Sequence, residues 1–185
     1  MSPATGDDFK GIIKAAIRDP NPVVILEHEL LYNETFDMSP ESASADFLTP
    51  IGKAKVELVG KDVTLVSYSR GVSLSLKAAA LLEKEGISAE VINLRSIRPL
   101  DVASIVASVK KTNRLVTVEE GWYQHGVGAE IAAAMMENAF DYLDAPVERI
   151  STADVPMPYS PALEELAMVT PQVIADAAKR VLNRK

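Results

Sequence analysis

The chain has 185 residues, 48% of them apolar, and a formal net charge of -7, enough for one ordinary core but not for two full domains. No Lys/Arg run exceeds two residues, so nucleic-acid phosphates and other acidic partners meet no basic face. The lack of cysteine removes disulfides, a thiol nucleophile and thiolate zinc sites, and no apolar run approaches the roughly 20 residues that span a bilayer.

Residues Met1 to Asp8 carry no charged-then-apolar targeting pattern, and a soluble chain is expected. Phe9, Ile12, Ile13, Ala16 and Ile17 fall at helical spacing, with Thr5 as cap and Asp7 and Asp8 favouring the helix start. Pro20 and Pro22 end that helix near Arg18, and Val23-Val24-Ile25-Leu26 reads as a short buried strand. A lone helix and strand cannot bury both faces, so this opening belongs to a larger unit. Residues 32–50 are rich in breakers and poor in periodicity, the pattern of a linker or long surface connection.

Beyond residue 50 strands and helices alternate. Ala54, Val56 and Leu58 line one face of a strand, the Gly60-Lys61 turn follows, and Val63 to Val66 form a second strand, which predicts a hairpin. Val72, Leu76, Ala79 and Leu82 mark a helix closed by Gly86; Ala89 to Asn93 is a strand; Asp101 caps a helix running to Lys110. The strand Leu115 to Val118 leads through Gly126-Val127-Gly128 into a helix, then come a strand at Val147 to Ile150 and a last helix opening at Thr170-Pro171. The pattern predicts a largely parallel sheet with helices on both faces and an antiparallel first strand, whose connection is too short for a crossover.

Three constellations raise chemical questions. The turn after Val118 holds a Gly-x-Gly that would suit a phosphate, but no third glycine follows, and a tight turn with Glu119 and Glu120 as loop carboxylates is the better reading. Ser67-Tyr68-Ser69-Arg70-Gly71 sits between strand and helix like a hydrolase nucleophile turn, with Ser67 where that motif requires glycine. His28 and His125 are the only histidines, too far apart for a local metal pair, and both read as structural or loop residues.

The stretches Ala89 to Asp101, Lys111 to Trp122 and Ala153-Asp154-Val155-Pro156-Met157-Pro158-Tyr159 closely resemble the beta subunits of pyruvate dehydrogenase, the decarboxylating component of the pyruvate dehydrogenase complex. Branched-chain 2-oxoacid dehydrogenase beta subunits share the architecture, but Glu29-Leu30-Leu31-Tyr32 and Met157-Pro158-Tyr159 look more like the pyruvate enzyme. The resemblance implies a transketolase C-terminal fold, a three-layer α/β/α sandwich whose mostly parallel five-stranded sheet carries one antiparallel strand. Family beta subunits are nearly twice as long. Residues 1–31 are then the tail of a truncated pyrimidine-binding domain, 32–50 a linker and 51–185 the transketolase C-terminal-like domain.

The same resemblance places the activating glutamate outside this chain, with thiamine diphosphate and magnesium held by the alpha subunit, so no catalytic or cofactor-binding residue is assigned. It implies a structural potassium ion at the first helix end, through the carbonyls of Ala16 and Ile17 with Asp19 and Asn21, weakened because one ligand lies in the missing half. It implies three partners: an alpha subunit, a second beta subunit and the subunit-binding domain of the dihydrolipoyl acetyltransferase core. The last would be gripped by Asp144 and the terminal carboxylate of Lys185, although the basic Asn183-Arg184-Lys185 ending suits that carboxylate poorly. The expected compartment is the mitochondrial matrix, or the cytoplasm for a bacterial source. A purely non-catalytic assembly module is the alternative function.

Overall fold

In the computed structural model, which describes residues 1–184, the first helix α1 (Gly6–Arg18) forms as its caps dictate. The Thr5 side chain accepts from the Asp8 amide, Asp7 and Asp8 occupy the first turn, and Arg18 the last. The strand expected at residues 23–26 does not form. Its backbone meets only the first residues of the chain, with the Leu26 amide donating to the Met1 carbonyl and the Met1 amine to the Val24 carbonyl. Without a sheet alongside, Val24 and Leu26 stay exposed.

Residues 32–50 are a surface connection bound to α1 along its length. Short 3-10 turns occupy Glu29–Asn33 and Glu41–Ala43. The Lys10 and Lys14 ammonium groups donate to the Ser42 and Ala45 carbonyls, and Asp7 accepts the Ser39 amide. A side chain at Gly11 would collide with Thr49 and Phe47, so the connection lies directly against the helix.

The remaining elements are β1 (Lys55–Leu58), β2 (Val63–Ser67), α2 (Arg70–Lys84), β3 (Ala89–Asn93), α3 (Val102–Thr112), β4 (Leu115–Val118), α4 (Val127–Asn138), β5 (Glu148–Ile150), α5 (Pro161–Ala167) and α6 (Pro171–Val181). They build one five-stranded sheet in the order β1-β3-β2-β4-β5. All neighbouring pairs are parallel except β1 with β3. Strands β2, β3 and β4 are buried along their whole length, as strands covered on both faces must be. One face packs Leu65, Val91 and Val118 under α2 and α6; the other packs Val66, Ile92 and Leu115 under α3 and α4. This is the expected three-layer sandwich.

The hairpin is a correction. β1 does not pair with β2, because β3 is inserted between them. The connection after β1 crosses the start of β3 in close contact: the Lys61 and Asp62 amides both donate to the Ser88 carbonyl, and a Cβ at Gly60 would overlap the Ala89 and Glu90 backbone. A glycine at position 60 is what lets four residues make that crossing.

Glu90, 2% exposed, holds β3 to α3 and to this crossing. Its carboxylate accepts from Ser108, from the Lys111 ammonium and from the Gly60 amide; the Ser108 hydroxyl also meets that of Thr64 at 2.6 Å, and Thr64 in turn meets Thr112 at 2.7 Å. Burial pushes the Glu90 carboxyl pKa upward, but Lys111, Ser108 and Gly60 outweigh it and hold the value below the ordinary glutamate range. A depressed folded-state pKa gives stability that is complete above the unfolded value, about 4.5, and lost as pH falls through the folded value. Glu90→Gln should therefore lower stability at pH 7 by about 1.5–3 kcal/mol, and the gap to wild type should narrow at pH 3.5; urea unfolding at both pH values measures it.

Candidate functional site

The connection from β2 runs to β3 on one side, while β4 lies on the other. The C-terminal ends of β2 and β4 therefore frame the switch point where open α/β sheets receive ligands. Here the protein's own groups fill that crevice. Glu119, first residue after β4 and 4% exposed, turns back against the start of α4. Its two carboxylate oxygens accept from the Val127 and Gly128 amides, both at 2.9 Å, and the Tyr68 hydroxyl approaches at 3.4 Å. A buried carboxylate on two helix N-terminal amides is a charge-assisted cap.

The Gly-x-Gly pattern has its cause here. A Cβ at Gly126 would overlap the Glu119 carboxylate, and one at Gly128 would stand 2.5 Å from Thr117 Oγ1 and 2.8 Å from Glu119 Oε1. The turn is shaped around an anion, and the anion is an internal side chain in place of a phosphate. Burial, followed by the Glu119 charge, pushes the Tyr68 hydroxyl pKa well above that of free tyrosine, so it remains a donor.

Glu120 points the other way. It accepts from Arg70 and lies 3.1 Å from His28 Nε2, so it ties α2 to the segment after α1. A cavity of about 240 Å³ remains, lined in part by Ser2, His28, Tyr68, Ser69 and Glu120. Ser69 has φ 52° and ψ -138° at the head of α2, the strained turn that the sequence suggested. The hydrolase reading nevertheless fails. His28 Nδ1 accepts the Leu30 amide at 3.2 Å and Nε2 faces Glu120, which leaves no nitrogen to take a serine proton. His125 is an exposed loop residue whose ring nitrogen lies 3.4 Å from Gln124. Ser67 donates to the Val118 carbonyl at 2.7 Å, a bond between strands that explains a serine at the motif's glycine position.

At the end of α1 the Asp19 amide donates to the Ala15 and Ala16 carbonyls, and Asp19 Oδ1 accepts from the Asn21 amide and side chain at 2.8 and 2.9 Å. Ala16, Ile17, Asp19 and Asn21 thus stand together on an oxygen-rich helix end, with Asp19 and Asn21 on the wall of a cavity of about 450 Å³. Asp144 is a surface residue between α4 and β5. Its carboxylate lies 3.2 Å from Arg114, and its amide donates to the Asn113 carbonyl. It borders an apolar cleft of about 450 Å³ that includes Met136, Phe140 and Val147. Lys185 lies outside the described residues.

Residues 52–174 match the transketolase C-terminal domain family. The chain belongs to that family. A split-gene transketolase chain, described as an inactive beta4 tetramer, superposes with a TM-score of 0.78 at 29% identity, covering 99% of this chain and 56% of that one. A Pichia stipitis transketolase shares the fold at 17% identity and TM-score 0.60, over 98% of this chain and 25% of that one. The chain is 63% identical over 184 residues to the mitochondrial pyruvate dehydrogenase E1 component subunit beta of Dictyostelium discoideum, covering all of this chain and 52% of that protein. It is 56% identical to the Homo sapiens protein of the same name, covering 99% of this chain and 51% of that one. It spans about half the length of these relatives.

In this transketolase C-terminal domain, Glu119→Ala would strand two helix amides and should destabilise the chain by about 2–4 kcal/mol. Because the substitution empties an anion seat, sodium acetate should raise the thermal midpoint of Glu119→Ala more than that of wild type. Equal shifts in a calorimetric titration would show that the seat is not what the substitution opens.

Proposed function

We propose that the chain is the C-terminal half of a pyruvate dehydrogenase beta subunit and that it contributes assembly and docking in place of reacting groups. The observation that carries this reading is 63% and 56% identity, across all or nearly all of this chain, to proteins of that name. The fold is the family's own: five strands, one antiparallel, between two helical layers. Residues 1–31 act as the tail of the pyrimidine-binding domain and residues 32–50 as its connection, in keeping with a family match that begins at residue 52. The relatives are named mitochondrial, which supports the matrix as the working compartment.

Thiamine diphosphate, with magnesium, supplies the chemistry of pyruvate decarboxylation in the whole assembly; none of the residues that hold it are assigned to this chain. The interior supports that division. Glu119 and Glu120, the most conspicuous acids of the crevice, are committed to α4 and to Arg70 and His28, so neither is free to move protons for a substrate. Mixed with an alpha subunit, thiamine diphosphate and magnesium, the 185-residue chain should show no pyruvate turnover, and measurable turnover would overturn the reading in favour of a chain with its own catalytic groups.

Two surface sites go with this role. The oxygen set at the end of α1 suits a potassium ion: Ala16 and Ile17 offer carbonyls, and Asp19 keeps Oδ2 beyond the oxygen that Asn21 uses. Asp144 suits a basic group of the acetyltransferase core's subunit-binding domain, since its side chain is 56% exposed although Arg114 lies beside it. Charged pairs at such a rim weaken with salt. Titrating the subunit-binding domain against full-length beta subunit should therefore show weaker binding and a flatter salt dependence for Asp144→Asn than for wild type.

A further inference from the structure

The imidazole of His28 is held at both nitrogens, and its two partners make different demands on it. Nδ1 accepts the Leu30 amide at 3.2 Å, which makes His28 the side-chain cap of the 3-10 turn at Glu29–Asn33. An accepting ring nitrogen carries no proton, so the hydrogen of the neutral ring belongs on Nε2, 3.1 Å from Glu120 Oε2. The two contacts therefore select one neutral tautomer. The side chain is 27% exposed, open enough to exchange protons with water, and it stands on the wall of the cavity of about 240 Å³ with Tyr68, Ser69 and Glu120.

Binding a proton moves these contacts in opposite senses. The proton enters at Nδ1, because that nitrogen holds the free lone pair. The imidazolium then sets an N–H against the Leu30 N–H and the cap bond is lost, while the contact with Glu120 becomes an ion pair. The surrounding charges leave that exchange in place. Arg70 of α2 engages the other oxygen of Glu120. Tyr68, at the end of β2, is an uncharged donor directed at Glu119. Within the segment itself Glu27 accepts from the Tyr32 hydroxyl at 2.7 Å, and Glu29 is exposed. We propose that His28 is a proton-operated switch between the segment after α1 and the sheet. Neutral, it caps the turn and touches Glu120 at once; protonated, it keeps Glu120 and releases the first amide of the turn. The turn holds Leu31 buried beneath exposed Leu30 and Tyr32, so acid loosens the piece of chain that lies over the ends of β2 and β4.

Amide–water exchange measured by NMR on the 185-residue chain between pH 5 and pH 8, the window in which imidazole side chains change charge, tests this. After division by the intrinsic rate at each pH, the Leu30 amide should exchange about fivefold faster at pH 5 than at pH 8, the loss expected for one side-chain cap. The Val173 amide, capped by the Thr170 hydroxyl, should not change. His28→Asn retains a side-chain oxygen for the Leu30 amide and should hold its protection constant over the same window. Ring nitrogen shifts of the wild-type chain should place the imidazole proton on Nε2 at pH 8. Leu30 protection that does not fall in acid, or that falls equally in His28→Asn, overturns the proposal. So does a wild-type ring with its proton on Nδ1 at pH 8, a measurement that stands even where the variant does not fold.

Discussion

A carboxylate buried to 4% exposure is costly to remove from water, and Glu119 is tolerated because the first amides of α4 receive both its oxygens. That one arrangement fixes much else. It sets the direction in which α4 leaves β4, demands glycine at positions 126 and 128 where a side chain would overlap the carboxylate or its neighbours, and holds the Tyr68 hydroxyl over the end of β2. The helix dipole and the desolvated charge each need the other, so the strand end, the turn and the helix start behave as one unit.

The consequence for function is that the position where this topology ordinarily takes a ligand is largely closed from within. Glu119 takes the anion seat below, and Glu120 bridges Arg70 and His28 above it. His28 is at once a cap for the 3-10 turn at Glu29–Asn33 and a partner of Glu120, so the segment after α1 lies over the crevice. Both acids of the crevice are thereby bound to groups of the chain itself.

Much of the fold could be read in the sequence because its signals were local. Thr5, Asp101 and Thr170 cap their helices through the amides expected of them, and the alternation of strand and helix gave the sandwich. What was illegible depended on distant neighbours. Apolar, mostly β-branched Val23-Val24-Ile25-Leu26 has strand chemistry but no strand beside it, and the β1 and β2 pairing was lost because β3, some 30 residues on in sequence, takes the place between them. α5 was missed since it has too few buried residues to leave a periodic trace. At the candidate site the glycines were recognised as a tight turn, but not that Glu119 was its reason; an acid closing a buried strand just before Gly-x-Gly was the available signal.

The first fifty residues show why a boundary drawn from sequence family alone would misplace the working unit. The family match starts at residue 52, yet Ala4 sits in the core under α2 and α6, and Ile12 is fully buried. Asn93, the last residue of β3, donates from one amide nitrogen to Asp8 of α1 at 2.8 Å and to Glu57 of β1 at 2.9 Å. Removing the first fifty residues would take Asp8 from the Asn93 amide nitrogen, leaving it Glu57 alone, and uncover the apolar surface that Ala4 and Ile12 close. Buried amides are stable only when their hydrogen bonds are made. The tail and the sheet are therefore one packed body, joined at the Asp8–Asn93 hydrogen bond and by the Ser2 amide on the Arg95 carbonyl.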